Sequence, residues 1–389
     1  MSPATAVQAA DHAAGAAPHA MPAWIYGHPQ LTKLEIDRIL KPSWQIACHT
    51  SSIPKAGDYV TLQIGPESVF VMRDREGTIR GFHNVCRHRG TRIFDGAGHC
   101  AGPIVCPYHG WSYKQDGSLQ GVARSDTFTA LDRASLSLTP VRTDVALGFV
   151  FVCLSGDPRP VLEVFAPVLD ELAPYRFEDM VPLGPLYHEE WAVDWKVAMD
   201  NYLESYHVPI GHPGLWRMFT PDYDDQKSLP SGVARGTSHM REQPSAKWSE
   251  RLYQRLVGQV APQLPESMRT RWSFYSMLPN LGIDVFPDQM DFFQVLPRGP
   301  GQCTIRGATF GLPDSSRAMR AVRYLNARIN RQVQREDEFL CRRVQRGLAS
   351  SSYEPGPLSR LEGCMWNFHE LLRERIPEAR LARAPSHFA

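Results

Sequence analysis

Between residues 42 and 158, short runs of apolar residues alternate with polar ones, as in Tyr59–Ile64, Ser68–Met72 and Gly148–Val152. A period of two places successive side chains on opposite faces of a strand, and Gly-Pro, Arg-Glu-Gly and Gln-Asp-Gly punctuate the runs as turns. The pattern predicts a small all-β domain, closed by the Pro-rich passage Gly156–Pro160. Further on the pattern is mixed. A strand at Tyr187–Val193 leads into a helix near Trp195–His207, and more strands are expected within 232–243 and 272–312, including Met290–Leu296 and Cys303–Phe310. A long helix is predicted over Asp314–Leu348, where Val322, Leu325, Ile329, Val333, Leu340 and Val344 recur mostly three or four apart. The fold class is α+β: an antiparallel sheet curling around a long helix, built from 21–41 and 159–389, beside the all-β domain. Residues 1–20 are Ala-rich, lack the charged start and apolar core of a signal peptide, and read as a disordered tail.

Composition narrows the class. At 389 residues the chain is long enough for two cores. With 42 Lys+Arg against 41 Asp+Glu there is no electrostatic case for nucleic acid or an anionic membrane. The longest apolar stretch, Val145–Leu154, is too short to span a bilayer and reads as one buried strand. Of eight cysteines, Cys48, Cys100, Cys153, Cys303, Cys341 and Cys364 show no framework spacing, which suggests free thiols in a reducing, cytoplasmic compartment.

Two Cys-His pairs carry the chemistry. Cys86-Arg-His88 is followed by Cys106-Pro-Tyr-His109, the two thiolates and two imidazoles that a Rieske-type [2Fe–2S] centre needs. A Cys2His2 zinc site also has four such ligands, but its pairs usually repeat one residue type. His99 and Cys100 fit no metal spacing and are assigned to loop packing. The stretch Gly96-Ala-Gly98-His-Cys-Ala101 resembles a dinucleotide fingerprint but opens no strand–turn–helix, so it too is read as a loop.

A second set lies in Asp200-Asn-Tyr-Leu-Glu204-Ser-Tyr-His207-Val-Pro-Ile-Gly-His212. Asp200, Glu204 and His207 would share one helical face. Pro209 and Gly211 would end the helix and let the chain bring His212 back. Two imidazoles and one carboxylate make the facial triad of mononuclear non-haem iron. For the carboxylate, Glu338 points away from the stripe of the long helix, whereas Glu336 and Asp337 both fall near it. Periodicity does not choose between them.

The loops NVCRHRG and CPYHGW, followed by the (D/E)-x2-H-x4-H pattern, resemble the α (oxygenase) subunit of Rieske non-haem iron oxygenases, from about Trp24 to Pro377. The resemblance implies a Rieske domain and a helix-grip catalytic domain. It implies a [2Fe–2S] cluster on Cys86, His88, Cys106 and His109, and Fe(2+) on His207, His212 and Asp337. NAD(P)H and flavin would act only through a separate reductase, with or without a ferredoxin. It further implies a homotrimer in which Glu204, with Asn201 beside it in the catalytic set, bridges His109 of one subunit to His207 of the next. Glu204, where dihydroxylating members carry Asp, and the run Glu336–Leu348 resemble the glycine betaine, carnitine and stachydrine branch. The expected reaction is O2-dependent hydroxylation or oxidative demethylation of a small aromatic or N-methyl substrate, the alternative being arene cis-dihydroxylation. Trp216, Met218, Phe219, Phe286 and Phe293 are the candidate pocket aromatics and sulfur.

Overall fold

A computed structural model describes residues 18–220 and 227–388, which divide into two compact units, Leu40–Leu162 and the remainder.

In the first unit the alternating runs become β1 (Gln45–His49), β2 (Asp58–Ile64), β3 (Glu67–Arg73), β4 (Ile79–His83), β5 (Ala97–His99), β6 (Ile104–Val105), β7 (Ser112–Tyr113), β8 (Leu119–Gly121), β9 (Pro140–Ala146) and β10 (Phe149–Cys153). Seven of them form an antiparallel sheet in the order β1-β10-β9-β4-β3-β2-β5, and β6-β7-β8 form a second. The apolar stretch Val145–Leu154 is not one strand. It folds at Leu147-Gly148, both at positive φ (52° and 75°), a two-residue hairpin turn that pairs Ala146 with Phe149. Glycine adopts that conformation freely, so the sequence bends where its hydrophobicity alone reads straight. The dinucleotide look-alike holds edge strand β5 rather than a loop; a Cβ on Gly98 would lie 2.7 Å from the Tyr59 hydroxyl.

The second unit is an eight-stranded antiparallel sheet. Its strands are β11 (Val181–Pro182), β12 (Tyr187–Trp191), β13 (Lys227–Ser228), β14 (Val233–His239), β15 (Arg271–Met277), β16 (Leu281–Val285), β17 (Met290–Gly299) and β18 (Gln302–Gly311). The order is β11-β18-β17-β16-β15-β14-β13, with β12 also on β18. The long helix runs Arg317–Leu348, started by Ser316, whose hydroxyl accepts from the Met319 amide at 3.2 Å. Val322, Leu325 and Ile329 pack with Trp272 and Phe286 of the sheet side. Val344, placed on the buried stripe by spacing, is 51% exposed. Cys341 and Leu348 take the buried face instead, four and eleven residues after Asp337, because they continue the face that Asp337 presents.

A shorter helix, Trp195–Tyr202, buries Trp195 to Met199 and begins at Asp194, whose carboxylate caps the Lys196 amide at 3.1 Å. Lys196 is itself buried between Glu35 at 2.7 Å and Asp194 at 2.5 Å, which pins the helix start. This helix stops at Tyr202, five residues short of His207, so Asp200, Glu204 and His207 do not share a continuous helical face. Asp200 instead accepts from Tyr26 at 2.6 Å and pairs with His369 at 2.9 Å. Glu204 lies beyond the helix and accepts the His207 amide at 3.1 Å, a local bond that competes with helix continuation.

Candidate active site

The two Cys-His loops repeat one backbone design. Gly90 donates its amide to the Cys86 carbonyl at 3.0 Å, and Gly110 donates to Cys106 at 3.1 Å. Both glycines sit at positive φ, 75° and 70°. The thiols of Cys86 and Cys106 are buried side by side, and the rings of His88 and His109 lie 4.7 Å apart. The Tyr113 hydroxyl reaches the Cys86 sulfur at 3.2 Å and accepts the Arg87 amide at 3.0 Å; Trp111 stacks on His88 at 4.8 Å. Burial pushes the Cys106 thiol up, but the amides of Tyr108 and His109 outweigh it and hold the group below its ordinary range. Burial and the neighbouring His109 and Arg89 lower the His88 pKa, which favours the neutral imidazole. A metal-binding nitrogen must carry a free lone pair, and His88 Nδ1 is buried without a hydrogen-bond partner. The donor set fits a [2Fe–2S] cluster. His99 and Cys100 stay outside it: His99 Nδ1 pairs with Asp58 at 2.8 Å, and the Cys100 thiol donates to the Pro103 carbonyl.

In the second unit two imidazoles converge. After His207 the chain makes one helical turn, Val208–Gly211, and a further helix begins at Pro213. A Cβ on Gly211 would come within 2.9 Å of Leu340 and 3.2 Å of the His207 ring, so only glycine lets this turn close against the long helix. His207 donates from Nδ1 to Glu204 at 2.5 Å, and His212 donates from Nδ1 to Glu336 at 2.9 Å. Each Nδ1–H is thereby fixed, and both Nε2 atoms turn inward with their lone pairs. They stand 3.1 Å apart, with Asp337 Oδ1 at 3.0 Å from His212 and 3.7 Å from His207. Asp337 Oδ1 is buried and lacks a hydrogen-bond partner. Asn201 Nδ2 lies 3.5 Å from His207 Nε2, and Glu338 faces away to pair with Arg342.

Three lone pairs pointed at one another repel unless a positive charge sits among them. A proton is the weaker remedy. Burial works against the charged form of His212, yet Asp337 and Glu336 more than offset it and raise its pKa. A divalent metal is the stronger one. Ligands about 2.1 Å from a metal and at right angles to each other are about 3.0 Å apart, close to two of the three separations found here. His207, His212 and Asp337 could hold such an ion. Glu336 and Asp337, equivalent by periodicity, take opposite nitrogens of His212.

The triad borders a cavity of about 210 Å³. Tyr187, Trp191, Tyr202, Phe274 and Phe293 contribute its aromatic wall. Of the five residues expected there from sequence, only Phe293 lines it. Met218, Phe219 and Phe286 are buried in the core with Trp272, and Trp216 is partly exposed under the Arg241 guanidinium. Hydrophobicity alone does not tell a core aromatic from a cavity aromatic. Two residues missed from sequence, Asp284 and Asp291, also line the cavity. The available signal was an acid inside an otherwise apolar strand, Leu281-Gly-Ile-Asp284-Val285.

Residues 43–132 match the Rieske [2Fe-2S] domain, and residues 177–378 match the ring hydroxylating alpha subunit (catalytic domain). The chain is 32% identical over 380 residues to a glycine betaine monooxygenase oxygenase subunit of Chromohalobacter salexigens, covering 88% of this chain and 82% of that one. It is 29% identical over 365 residues to the chloroplastic choline monooxygenase of Arabidopsis thaliana, covering 90% and 81%. In fold it resembles a quaternary ammonium Rieske monooxygenase (TM-score 0.78, 22% identity, 92% and 96% covered). It also resembles naphthalene 1,2-dioxygenase from Rhodococcus sp. (TM-score 0.72, 21% identity, 92% and 94% covered). The chain belongs to the ring-hydroxylating α-subunit family, as a Rieske-type non-haem iron terminal oxygenase that uses O2, a [2Fe–2S] cluster and an iron ion, with electrons from NAD(P)H and flavin reaching it through a partner reductase.

Proposed function

We propose that this oxygenase is a monooxygenase of a small N-methylated ammonium compound, holding iron on His207, His212 and Asp337 and its cluster on Cys86, His88, Cys106 and His109. The observation that carries the reading is the convergence of the two Nε2 atoms and Asp337 Oδ1 on the edge of an aromatic-walled cavity. Aromatic faces attract a quaternary ammonium through the ring quadrupole. The glycine betaine and choline monooxygenases among its relatives support that substrate class.

When bound, the cluster delivers single electrons and the iron provides the site where O2 is activated. The chain's own residues do the rest. Glu204 and Glu336 fix the two imidazole tautomers; Asn201 lines the cavity beside His207; the aromatic wall orients the substrate and excludes water. In the reaction one atom of O2 enters a methyl C–H bond and the other leaves as water, using two electrons and two protons. The N-hydroxymethyl ammonium product collapses to formaldehyde, the demethylated amine and a proton.

The assembly belongs to the same proposal: a homotrimer in which His109 of one subunit meets Glu204 of the next. Support comes from the exposed apolar tip around the cluster, Val85, Val105 and Tyr108, and from the position of Glu204 on His207. A cytoplasmic setting is supported by the six cysteines outside the cluster, none of which forms a disulfide. No helix among the described residues is long and apolar enough to cross a membrane.

Oxygen uptake with a surrogate reductase, screened over N-methyl compounds and aromatic acids under 18O2, tests the reading. One labelled oxygen incorporated, or formaldehyde released in step with substrate loss, is expected. A doubly labelled cis-diol from an arene overturns it.

A further inference from the structure

Asp284 of β16 and Asp291 of β17 are directly opposed in the register of the two antiparallel strands, so both side chains leave the same face of the sheet. Both line the cavity. Their contacts are neutral: Tyr202 donates its hydroxyl to Asp284 at 2.8 Å, while Gln289 and Asn330 lie at 3.3 Å and 3.4 Å from Asp291. Among the described residues neither has a Lys or Arg partner, and no Lys or Arg lines the cavity. Like charges opposed across a sheet are destabilising, and a carboxylate taken from water without a counter-charge is more so. The two other cavity acids, Glu204 and Asp337, are committed to the histidines. Burial raises Asp284 to about 7, and burial with the Asp284 charge raises Asp291 to about 8, so each gives up its proton readily only when a cation lies against it. The fold therefore keeps an acid pair that it does not compensate, walled by Tyr202 and Phe293, whose rings meet edge-to-face at 4.6 Å.

We propose that Asp284 and Asp291 are the counter-charge for the substrate, and that the cavity takes a net cation bearing no carboxylate of its own. The inference rests on the reading of this cavity as the pocket for an N-methylated ammonium, and narrows it. A zwitterion of the betaine or carnitine type would bring a carboxylate into a space that offers it no cationic side chain and already holds the acid pair. An alcohol or an alkyl group in that place meets no such repulsion.

The test uses the holoenzyme and four probes: choline, tetramethylammonium, glycine betaine, and 3,3-dimethylbutan-1-ol, the uncharged carbon isostere of choline. Binding is read by calorimetry, and turnover by formaldehyde release. Choline and tetramethylammonium are expected to bind at least about tenfold more tightly than glycine betaine and the isostere. Asp291→Asn and Asp284→Asn are expected to weaken choline binding by roughly thirtyfold or more, as for truncating one side of a buried charge pair. The isostere should bind these variants as well as it binds wild type. An unchanged cluster spectrum and iron content show that each variant is folded, and the wild-type series needs no variant. Glycine betaine bound or demethylated in preference to choline overturns the proposal while leaving the N-methyl reading standing. Choline affinity unchanged in both Asn variants overturns it too, since the acids are then neutral spectators. Failure of choline, tetramethylammonium and glycine betaine alike to bind overturns both readings together.

Discussion

Removal of the Glu336 carboxylate separates a residue that orients a metal ligand from one that is a ligand. Glu336 Oε2 accepts from His212 Nδ1 at 2.9 Å, and its other oxygen is held by Gln332 at 2.9 Å. In Glu336→Ala the buried imidazole loses a charge-assisted acceptor, a bond of about 1.5–3 kcal/mol. The Glu336 side chain is 23% exposed, so water enters behind it and moves the expected cost toward the low end of that range. At ~1.4 kcal/mol per factor of ten, ferrous iron should bind roughly tenfold to thirtyfold more weakly, within the range for groups behind metal-binding histidines. Glu336→Gln keeps a neutral acceptor and should fall between wild type and Ala. Asp337→Ala removes a donor from the triad and should lose the iron outright. The assay is an anaerobic ferrous titration of chelator-stripped enzyme, with the visible cluster spectrum as an internal control because the cluster uses other residues. Wild-type iron affinity in Glu336→Ala would refute the role given to the Nδ1 bond. Iron loss in Glu336→Ala with retention in Asp337→Ala would reverse the assignment of the two acids.

Cys86→Ser or Cys106→Ser should abolish the rhombic EPR signal of the reduced cluster while ferrous binding at the triad survives; a persisting signal counts against those ligands. Gly211→Ala places a methyl 2.9 Å from Leu340 and 3.2 Å from the His207 ring, and should cost ~1–3 kcal/mol in urea unfolding along with part of the iron content. Wild-type iron occupancy with an unshifted midpoint would contradict that contact. The acid pair should make the metal-stripped protein pH-sensitive. Asp284 at about 7 and Asp291 at about 8 retain protons in the folded chain that the unfolded chain, near pKa ~3.9, has released. Their stabilising contribution is full below about pH 4 and is lost as pH rises through 7 and 8, by at most ~1.4 kcal/mol per pH unit for each proton. Urea midpoints should therefore fall from about pH 5 to about pH 8 and level off above it, and Asp291→Asn should flatten the trend. A flat wild-type profile would show that the two acids ionise normally.

What the sequence determined by itself is what lies close together along the chain or repeats with a period. The mixed Cys-His pairs are each confined to a few residues, and in the structure each forms its own tight turn. The α+β class followed from a change of hydrophobic period, from two to three or four, and the long helix began three residues from where that pattern put it. Where local hydrogen bonds outbid the period, the pattern misled: Glu204 took the His207 amide and the preceding helix stopped at Tyr202. The hairpin turn at Leu147-Gly148 broke the apolar run Val145–Leu154 for a similar reason, since hydrophobicity carries no record of backbone φ. The tertiary structure alone decided the rest. Glu336 and Asp337 are neighbours on one helix; only the arrival of His212, more than a hundred residues earlier in the chain, gives the first acid its Nδ1 and the second its Nε2. Asp284 stands out in sequence only as an acid in an apolar strand; that it opposes Asp291 is decided by the register of two strands. Phe293 and Phe286 are the same residue type seven positions apart, yet one faces the cavity and the other the core. Charge pairing and cavity lining arise from side chains meeting across the fold, and a linear pattern contains no term for that meeting.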